Sequence, residues 1–177
     1  MDDLFRPLHF VENREKGKPF TKKALMKKRK EVVIAKDKAL FRLDGRGRWH
    51  SEAGEFLHRK IIEHFHASIR KDEDGFHLMQ KHRDFREKVY FPYEDTPLFA
   101  FDVLKGEKIE LILNTRRKMK LSPKKMFIQD DELYMRAGED RVKFTDRALI
   151  KLSPFLEFEG DQAYIKVRGR RYKIPEH

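Results

Sequence analysis

The sequence predicts an α+β fold made of two related small halves, each built of antiparallel strands with one helix. The first observation behind this prediction is that short segments alternating apolar and polar residues recur between turns rich in Gly, Pro and Asp. The second is a weak internal repeat, because Trp49 and Tyr134 stand 85 positions apart, as do Gly75 and Gly160. The repeat favours an internal duplication.

The first half, residues 39–104, contains the clearest helix. Apolar residues from Phe56 to Ile69 follow helical spacing and leave one stripe to bury against a sheet. A strand end at Trp49 precedes this helix, and a polar turn that ends at Gly75 follows it. Further strands are predicted at 39–43, 76–79, 88–91 and 98–104.

The second half, residues 105–177, opens with the tight turn Lys105-Gly106, the strongest hairpin signal in the chain. Thr145 is a suitable N-cap for a short helix that ends before Pro154. A closing hairpin is predicted across Gly169. The strands of this half are predicted at 108–113, 126–129, 132–136, 163–167 and 171–174.

Positive charge dominates the chain, whose formal net charge is +11, and it is concentrated in three clusters. Residues 14–30 hold nine Lys or Arg against one acid, residues 116–125 hold six and no acid, and a third cluster lies at 168–173. Residues 1–38 are therefore predicted to form a flexible basic N-terminal tail. Such clusters attract nucleic acids and other polyanions, because binding releases condensed counterions. The candidate polyanion-binding residues are Lys22, Lys23, Lys27, Lys28, Arg29, Lys30, Arg116, Arg117, Lys118, Lys120, Arg168, Arg170 and Arg171.

The composition excludes several classes of protein. The absence of Cys excludes disulfides and thiolate metal sites. No apolar run approaches the roughly 18 residues that a membrane span requires, and no charged-then-apolar leader opens the chain. A cytoplasmic location without a membrane span is therefore expected. No Walker loop, HExxH, GxSxG or GxGxxG motif is present, so neither a catalytic constellation nor a cofactor is predicted.

Three residues form a candidate pocket for a small polar ligand. Trp49 supplies an aromatic platform, Arg59 a cation beside the buried helical stripe, and Asp95 a carboxylate. Structural roles are the alternatives: Trp49 as a core anchor, and Asp95 as the cap of the turn before Pro97. Arg59 has a further alternative, an ion pair with a Glu on its own helix.

Three histidines share the predicted helix and deserve comparison with a metal site. His58 and His66 are eight positions apart, so both can flank the apolar stripe, and His64 lies between them. The i,i+4 pairing of helical metal ligands is missing, and no carboxylate completes a ligand set. Surface or boundary positions are therefore predicted for these histidines, and no metal.

Three blocks of the sequence resemble a bacterial family, the domain of unknown function 1285 (DUF1285). The blocks are WHSEAGEFLHRKIIEHF, DEDGFHLM and YEDTPLF, and the resemblance covers about residues 39–177. The chain departs from the family pattern by two extra residues in WHSEAG, by Tyr93 in place of an aliphatic residue, and by its many Lys and Arg. The resemblance implies two related α+β halves and no established activity. The matching positions are Trp49, Glu52, Gly54, Phe56, Arg59, Phe65, Gly75, Leu78, Glu94, Asp95, Pro97 and Phe99.

The sequence favours a non-enzymatic cytoplasmic binding or regulatory module, of a signalling kind by fold analogy alone. Its partner is then an unidentified protein or small molecule. The competing hypothesis is a nucleic-acid-associated protein that uses the basic tail and the two downstream clusters. An enzyme with an unrecognised site is the third hypothesis, and it lacks a nucleophile–base or metal constellation.

Overall fold

The structure, a computed structural model of the chain, describes residues 30–177, which form sixteen strands and two α-helices. The fold is mostly β-structure with two α-helices, in agreement with the predicted α+β class, and its strands form one six-stranded, one four-stranded and two three-stranded sheets. Neither α-helix within residues 30–177 is long and apolar enough to cross a membrane. The candidate polyanion-binding residues from Lys22 to Arg29, and most of the predicted tail, lie outside the described residues.

Two sheets and one helix are built from the chain up to residue 90. The small sheet has the order β2-β3-β4, and the larger has the order β1-β7-β6-β5, in which β1 runs parallel to β7. Strand β1 lies in the segment predicted as tail. The elements are β1 (Lys30–Ile34), β2 (Phe41–Leu43), β3 (Trp49–Ser51), β4 (Gly54–Glu55), α1 (Arg59–Ser68), β5 (Ile69–Asp72), β6 (Gly75–Lys81) and β7 (Phe85–Tyr90).

The six-stranded sheet has the order β10-β9-β8-β13-β12-β11, and a small sheet β14-β15-β16 completes the fold. Strands β8 and β13 are parallel, whereas their other neighbours are antiparallel. The elements are β8 (Phe99–Leu104), β9 (Glu110–Leu113), β10 (Lys118–Lys120), β11 (Met126–Gln129), β12 (Glu132–Ala137), β13 (Asp140–Phe144), α2 (Asp146–Leu152), β14 (Leu156–Glu159), β15 (Gln162–Val167) and β16 (Arg170–Lys173).

The order three strands, helix, three strands occurs twice. We call β2 to β7 with the following residues to 94 the first unit, and β11 to β16 with the residues to 177 the second unit. Leu43 of β2 donates its N–H to Pro92 O and accepts from Glu94 N; Ile128 of β11 donates to Pro175 O and accepts from His177 N. Both residues thus form the same parallel bridge to the chain that follows the last strand of their unit.

The first unit has an aromatic core. Trp49 is 1% exposed, and its ring lies 4.9 Å from that of Phe91 and 5.3 Å from that of Phe65, both edge-to-face. Helix α1 is shorter than the spacing from Phe56 predicted. Phe56 donates its N–H to Trp49 O, which keeps it beside the β3–β4 hairpin, and Ile69 already pairs with Leu78 in the sheet.

The second unit and the β8–β10 strands share an aliphatic core. Its fully buried members include Leu111, Val142, Leu152 and Ile165. Helix α2 begins as predicted, because the Thr145 hydroxyl accepts a hydrogen bond from Ala148 N. Ala148 and Leu152 of α2 are buried in this core, and the helix packs against β8.

A buried polar contact joins α1 to the six-stranded sheet. Asn114 Nδ2 donates to His66 Nδ1 at 3.0 Å and to Pro97 O at 2.9 Å, while Asn114 Oδ1 accepts from Phe99 N. His66 is 2% exposed, so its predicted surface or boundary position is wrong. Burial lowers the pKa of His66 to about 4, because the charged imidazolium would lose its hydration.

Candidate functional site

A basic cleft of about 610 Å³ lies where three segments of the chain meet. The residues just before β9, the end of β10 with the turn after it, and the β15–β16 hairpin form its walls. Leu121 N donates to Ile109 O at 2.9 Å, which joins the first two segments. We call this site the basic cleft, and its lining residues are Lys108, Ile109, Lys120, Leu121, Ser122, Pro123, Lys124, Val167, Arg168, Arg170 and Tyr172.

Every charged residue that lines the basic cleft is a cation. The five cations are Lys108, Lys120, Lys124, Arg168 and Arg170. No carboxylate within residues 30–177 forms an ion pair with any of them. Glu110 is the cross-strand partner of Lys120, but it is not part of the lining. The lining therefore concentrates positive charge that the described residues leave uncompensated, which is the electrostatic requirement for binding an anion.

The β15–β16 turn holds one of these cations in an unusual backbone conformation. Arg168 has φ +53° and Gly169 has φ +71°, so both occupy the left-handed region, which Arg adopts at a cost. Arg168 Nε donates to Glu107 O at 2.9 Å, and its Nη2 donates to the same oxygen. This contact fixes the guanidinium at the mouth of the cleft and leaves Nη1 for an anion.

Adjacent arginines on β16 face opposite ways. Arg170 and Tyr172 point into the basic cleft, whereas Arg171 lies on the other face of the sheet, as strand alternation requires. Arg171 forms ion pairs with Glu157 at 3.2 Å and Glu159 at 2.6 Å. Its guanidinium also stacks 3.6 Å from the centre of the Tyr164 ring. Arg171 is therefore compensated, while Arg170 is not.

The floor of the basic cleft is apolar. Ile109 and Leu121 are buried, and Val167 and Tyr172 are half-buried at its side. Ser122 supplies the one side-chain hydroxyl besides that of Tyr172. This lining can bind a phosphate by charge and hydrogen bonds, and it can cover an apolar surface. Its residues include no carboxylate or histidine to act as a general base.

The basic cleft brings together two of the clusters predicted from the sequence. Lys120, Arg168 and Arg170 were candidate residues and all line it. Lys124 belongs to the 116–125 cluster but was not among the candidates, and Lys108 and Tyr172 were missed. Lys108 stands alone beside Glu107, so no run of charge marks it.

The other described candidates lie outside the lining. Arg116 pairs with Glu63 at 3.5 Å, and Arg171 is compensated as above. Lys30, Arg117 and Lys118 are exposed at the start of β1, in the β9–β10 turn and on β10. Of these, Lys118 shares the outer face of β10 with Lys120, because the two are separated by one residue in the strand.

The candidate ligand-pocket residues occupy three different environments. Trp49 lies in the aromatic core, and Arg59 is an exposed residue of α1 whose Nε donates to Glu63 at 2.7 Å. Asp95 borders a different cleft, between the two units. No hydrogen bond or ion pair joins any two of the three within residues 30–177. A shared ligand-binding role for them stays a prediction.

Asp95 is surrounded by donors from β12 and β13. It accepts from Tyr134 Oη at 2.7 Å and from Arg141 Nη2 at 2.7 Å, and Lys143 Nζ lies at 3.3 Å. Burial and the Asp95 carboxylate raise the pKa of Tyr134 above its usual value. Burial alone would lower the pKa of Lys143, but the hydrogen bond to Glu132 and the nearby acidic groups raise it. This network ties the 95–97 turn to the sheet, and its charges are satisfied internally.

The structure is mostly β with two α-helices, and comparison with solved structures identifies the fold. No protein-family model and no curated protein matches the chain. A DUF1285 family protein from Silicibacter pomeroyi DSS-3 is similar, with a TM-score of 0.55, 18% sequence identity, and coverage of 85% of this chain and 86% of its own. A DUF1285 family protein from Shewanella baltica OS155 matches with a TM-score of 0.45 and 18% identity, over 65% of this chain and 91% of its own.

The likeness to the Silicibacter protein shows that the chain has the fold of a DUF1285 family protein. The Silicibacter protein carries the family name that the three sequence blocks indicated, so the resemblance is confirmed at the level of the fold. That protein is described by its family name alone, in agreement with the expectation that the function is unknown.

Proposed function

We propose that this protein is a non-enzymatic cytoplasmic binding module that holds the phosphates of a nucleic acid in the basic cleft. The observation that supports the proposal is the convergence of Lys120 and Lys124 with Arg168 and Arg170 on one cleft without a lining acid. These residues come from clusters more than 40 positions apart in the chain. Solvated surface lysines need not converge, whereas a phosphate site requires several cations around one point.

The expected binding is electrostatic and depends on salt. Each phosphate that a Lys or Arg neutralises releases condensed counterions, so the affinity falls steeply as salt rises. Arg170 can donate two parallel N–H groups to phosphate oxygens, and Arg168 can donate from Nη1, while Lys108, Lys120 and Lys124 act as point charges. The outer face of β10 extends the positive surface from Lys120 to Lys118, about 7 Å along the strand.

Family membership and duplication belong to the same proposal. The fold and the three sequence blocks support the chain being a divergent DUF1285 protein. The repeated order of strands and helix, and the matched bridges of Leu43 and Ile128, support two halves that arose by duplication. Division of the chain into 39–104 and 105–177 is part of this proposal; by this division β8 belongs to the first half in sequence, although it pairs with β9 and β13 in the six-stranded sheet.

A charge-matched pair of triple variants tests the proposed function. In the first, Lys120→Gln, Lys124→Gln and Arg170→Gln remove cations of the basic cleft. In the second, Arg147→Gln, Lys166→Gln and Arg171→Gln remove the same charge from cations that are ion-paired elsewhere. Fluorescence anisotropy with labelled oligonucleotides over a salt series measures both affinity and slope.

The cleft variant is expected to lose affinity. The magnitude of its slope of log K against log salt concentration should decrease by about 2 to 3, because three phosphate contacts are removed. The control variant should bind like the wild type. Equal losses in both variants would contradict a localised site and indicate a response to net charge alone.

A chain that begins at Lys30 separates the basic cleft from the basic N-terminal cluster. The proposal expects this shorter chain to retain salt-dependent binding, which the cleft triple variant then abolishes. If removing residues 1–29 abolishes binding by itself, the N-terminal candidates bind the polyanion and the basic cleft does not.

A further inference from the structure

Tyr172 is the aromatic residue of the basic cleft, and it differs from the other tyrosines. All five tyrosines of the chain lie within residues 30–177. Tyr90 and Tyr134 donate hydrogen bonds to Asp72 and Asp95, and the rings of Tyr93 and Tyr164 are covered by cations. Within the described residues, the Tyr172 hydroxyl forms no hydrogen bond, and the Tyr172 ring has no aromatic partner and no cation over it.

The position of Tyr172 explains what its ring can contact. Its cross-strand partner Ile165 is completely buried, so Tyr172 packs against the core, while the residue is only partly buried and lines the cleft. Arg170 is two residues earlier on the same face of β16, about 7 Å away along the strand. A cation and an unpartnered aromatic ring therefore stand side by side.

This pairing is the arrangement that binds single-stranded nucleic acid. Proteins of that kind combine a positively charged groove along the sugar-phosphate backbone with aromatic side chains on which bases stack. Only unstacked bases can reach such a ring, because the bases of a duplex are stacked on one another inside the helix. Reading a duplex through its major groove requires a helix or a β-ribbon that projects into it. The basic cleft is instead concave: neither α1 nor α2 contributes to its lining, and the face of the β15–β16 ribbon that carries Arg170 and Tyr172 forms one of its walls.

The size of the basic cleft agrees with this ligand. A cleft of about 610 Å³ is in the range of pockets that enclose a small molecule, so it can take a base with its phosphates but not a whole duplex. The apolar floor of Ile109 and Leu121 suits the flat face of a base, and the cations at the rim suit the backbone.

We infer that the basic cleft binds single-stranded nucleic acid, with one base stacked on the Tyr172 ring and the neighbouring phosphates held by Arg170 and Lys120. The inference rests on the proposed function, because it specifies the ligand of the same cleft. Stacking tolerates every base, so little sequence preference is expected.

The test compares three probes and three variants of the full chain at one salt concentration. The probes are a single-stranded oligonucleotide, a duplex of the same length, and inorganic polyphosphate of the same number of charges. The variants are Tyr172→Leu, Tyr172→Phe and Tyr164→Leu. Tyr164 provides the matched control, because it lies on the neighbouring strand with its ring covered by Arg171 on the opposite face.

The wild type should bind the single strand more tightly than the duplex or polyphosphate. Tyr172→Leu should weaken single-strand binding by about 5- to 150-fold, the range for loss of one stacked base, and leave polyphosphate binding unchanged. Tyr172→Phe should bind like the wild type because the ring remains, and Tyr164→Leu should show no selective loss. Circular dichroism establishes that each variant is folded.

Three other results would overturn the inference in distinguishable ways. Equal affinity for single strand and polyphosphate, unaffected by Tyr172→Leu, would leave phosphate binding in place and refute base stacking. Tighter binding of the duplex would likewise refute the single-strand ligand. Absence of binding to all three probes at low salt would refute the proposed function itself.

Discussion

The two units share an order of strands and a matched backbone bridge, yet they use their side chains differently. The first unit packs Trp49, Phe65 and Phe91 against one another, whereas the second packs aliphatic residues. The first unit also satisfies the carboxylate at the end of β5 internally: Asp72 accepts from Lys88 at 2.9 Å and from Tyr90 at 2.9 Å. The hydrogen bond from Lys88 and that from Tyr90 lower the pKa of Asp72 to about 2.

Cations of the second unit at the basic cleft have no such partners among the described residues. Arg168 and Arg170 stand at the end of the β15–β16 hairpin, facing Lys108, Lys120 and Lys124 of the β8–β10 region. One order of elements therefore carries two different sets of side chains. The first unit packs aromatic rings in its core, whereas the second places cations that lack a carboxylate partner among residues 30–177 at the cleft where we propose that a ligand binds.

The aromatic core of the first unit provides the largest expected effect. Trp49→Ala should destabilise the protein by about 3–5 kcal/mol, because it opens a cavity among three rings. Chemical denaturation measures this loss, and Trp49→Phe should restore most of it. At temperatures where the variant is folded, its affinity for an oligonucleotide should equal that of the wild type. A loss below about 1 kcal/mol would contradict the role of the aromatic core.

The buried contact of His66 with Asn114 predicts a dependence of stability on pH. The pKa of His66 is about 4 in the folded chain against 6.5 for the ordinary group, so between these values the unfolded chain binds the extra proton. Stability should therefore fall by up to about 3 kcal/mol as the pH drops from 6.5 to 4. Thermal unfolding over this range measures the slope, and His66→Gln should flatten it. An unchanged slope in the variant would assign the effect to other groups.

Arg168→Asn should separate binding from stability in the second unit. Asn adopts the left-handed conformation of this turn more readily than Arg, so the unfolding free energy should remain unchanged or rise slightly. Affinity for an oligonucleotide should fall by about tenfold, since one charged hydrogen-bonding group is lost. If stability falls together with affinity, Arg168 mainly supports the fold through Glu107.

The smallest expected effect concerns Glu110, the cross-strand neighbour of Lys120. Glu110→Gln removes a negative charge close to the cleft and should raise affinity for an oligonucleotide by about two- to threefold at low salt. The gain should disappear at high salt, because screening suppresses interactions between exposed charges. A loss of affinity would show that Glu110 positions Lys120 for binding.

Local patterns sufficed to predict much of the fold. The Thr145 cap, the β11–β12 hairpin and the closing β15–β16 hairpin depend on neighbours in sequence, and all three are confirmed. Strand β13 was missed because its Lys143 is charged, and only the Glu132 and Asp95 carboxylates from other segments make its burial favourable. Likewise, His66 could not be placed inside without knowledge of Asn114, 48 positions away.

The candidate site could be predicted only in part. Runs of charge in the sequence revealed the clusters that contain Lys120 and Arg170. The tertiary contacts that bring these two clusters to one cleft cannot be read from local sequence patterns. The run of charge does not distinguish Arg170 from Arg171. The alternation of side chains along the strand places Arg170 in the cleft and Arg171 beside Glu157. Lys108 lies in no run of charge, and Tyr172 carries no signal until its neighbours are known.

The contrast between adjacent arginines offers the most direct test of the basic cleft. Arg170→Gln and Arg171→Gln change the same charge at neighbouring positions of β16, and oligonucleotide binding would be measured for both over a salt series. The account predicts that Arg170→Gln lowers affinity and reduces the salt slope by about 0.7, the value for one phosphate contact on a single strand, while Arg171→Gln leaves both unchanged. Equal effects of the two substitutions, or a larger effect of Arg171→Gln, would contradict the basic cleft as the binding site.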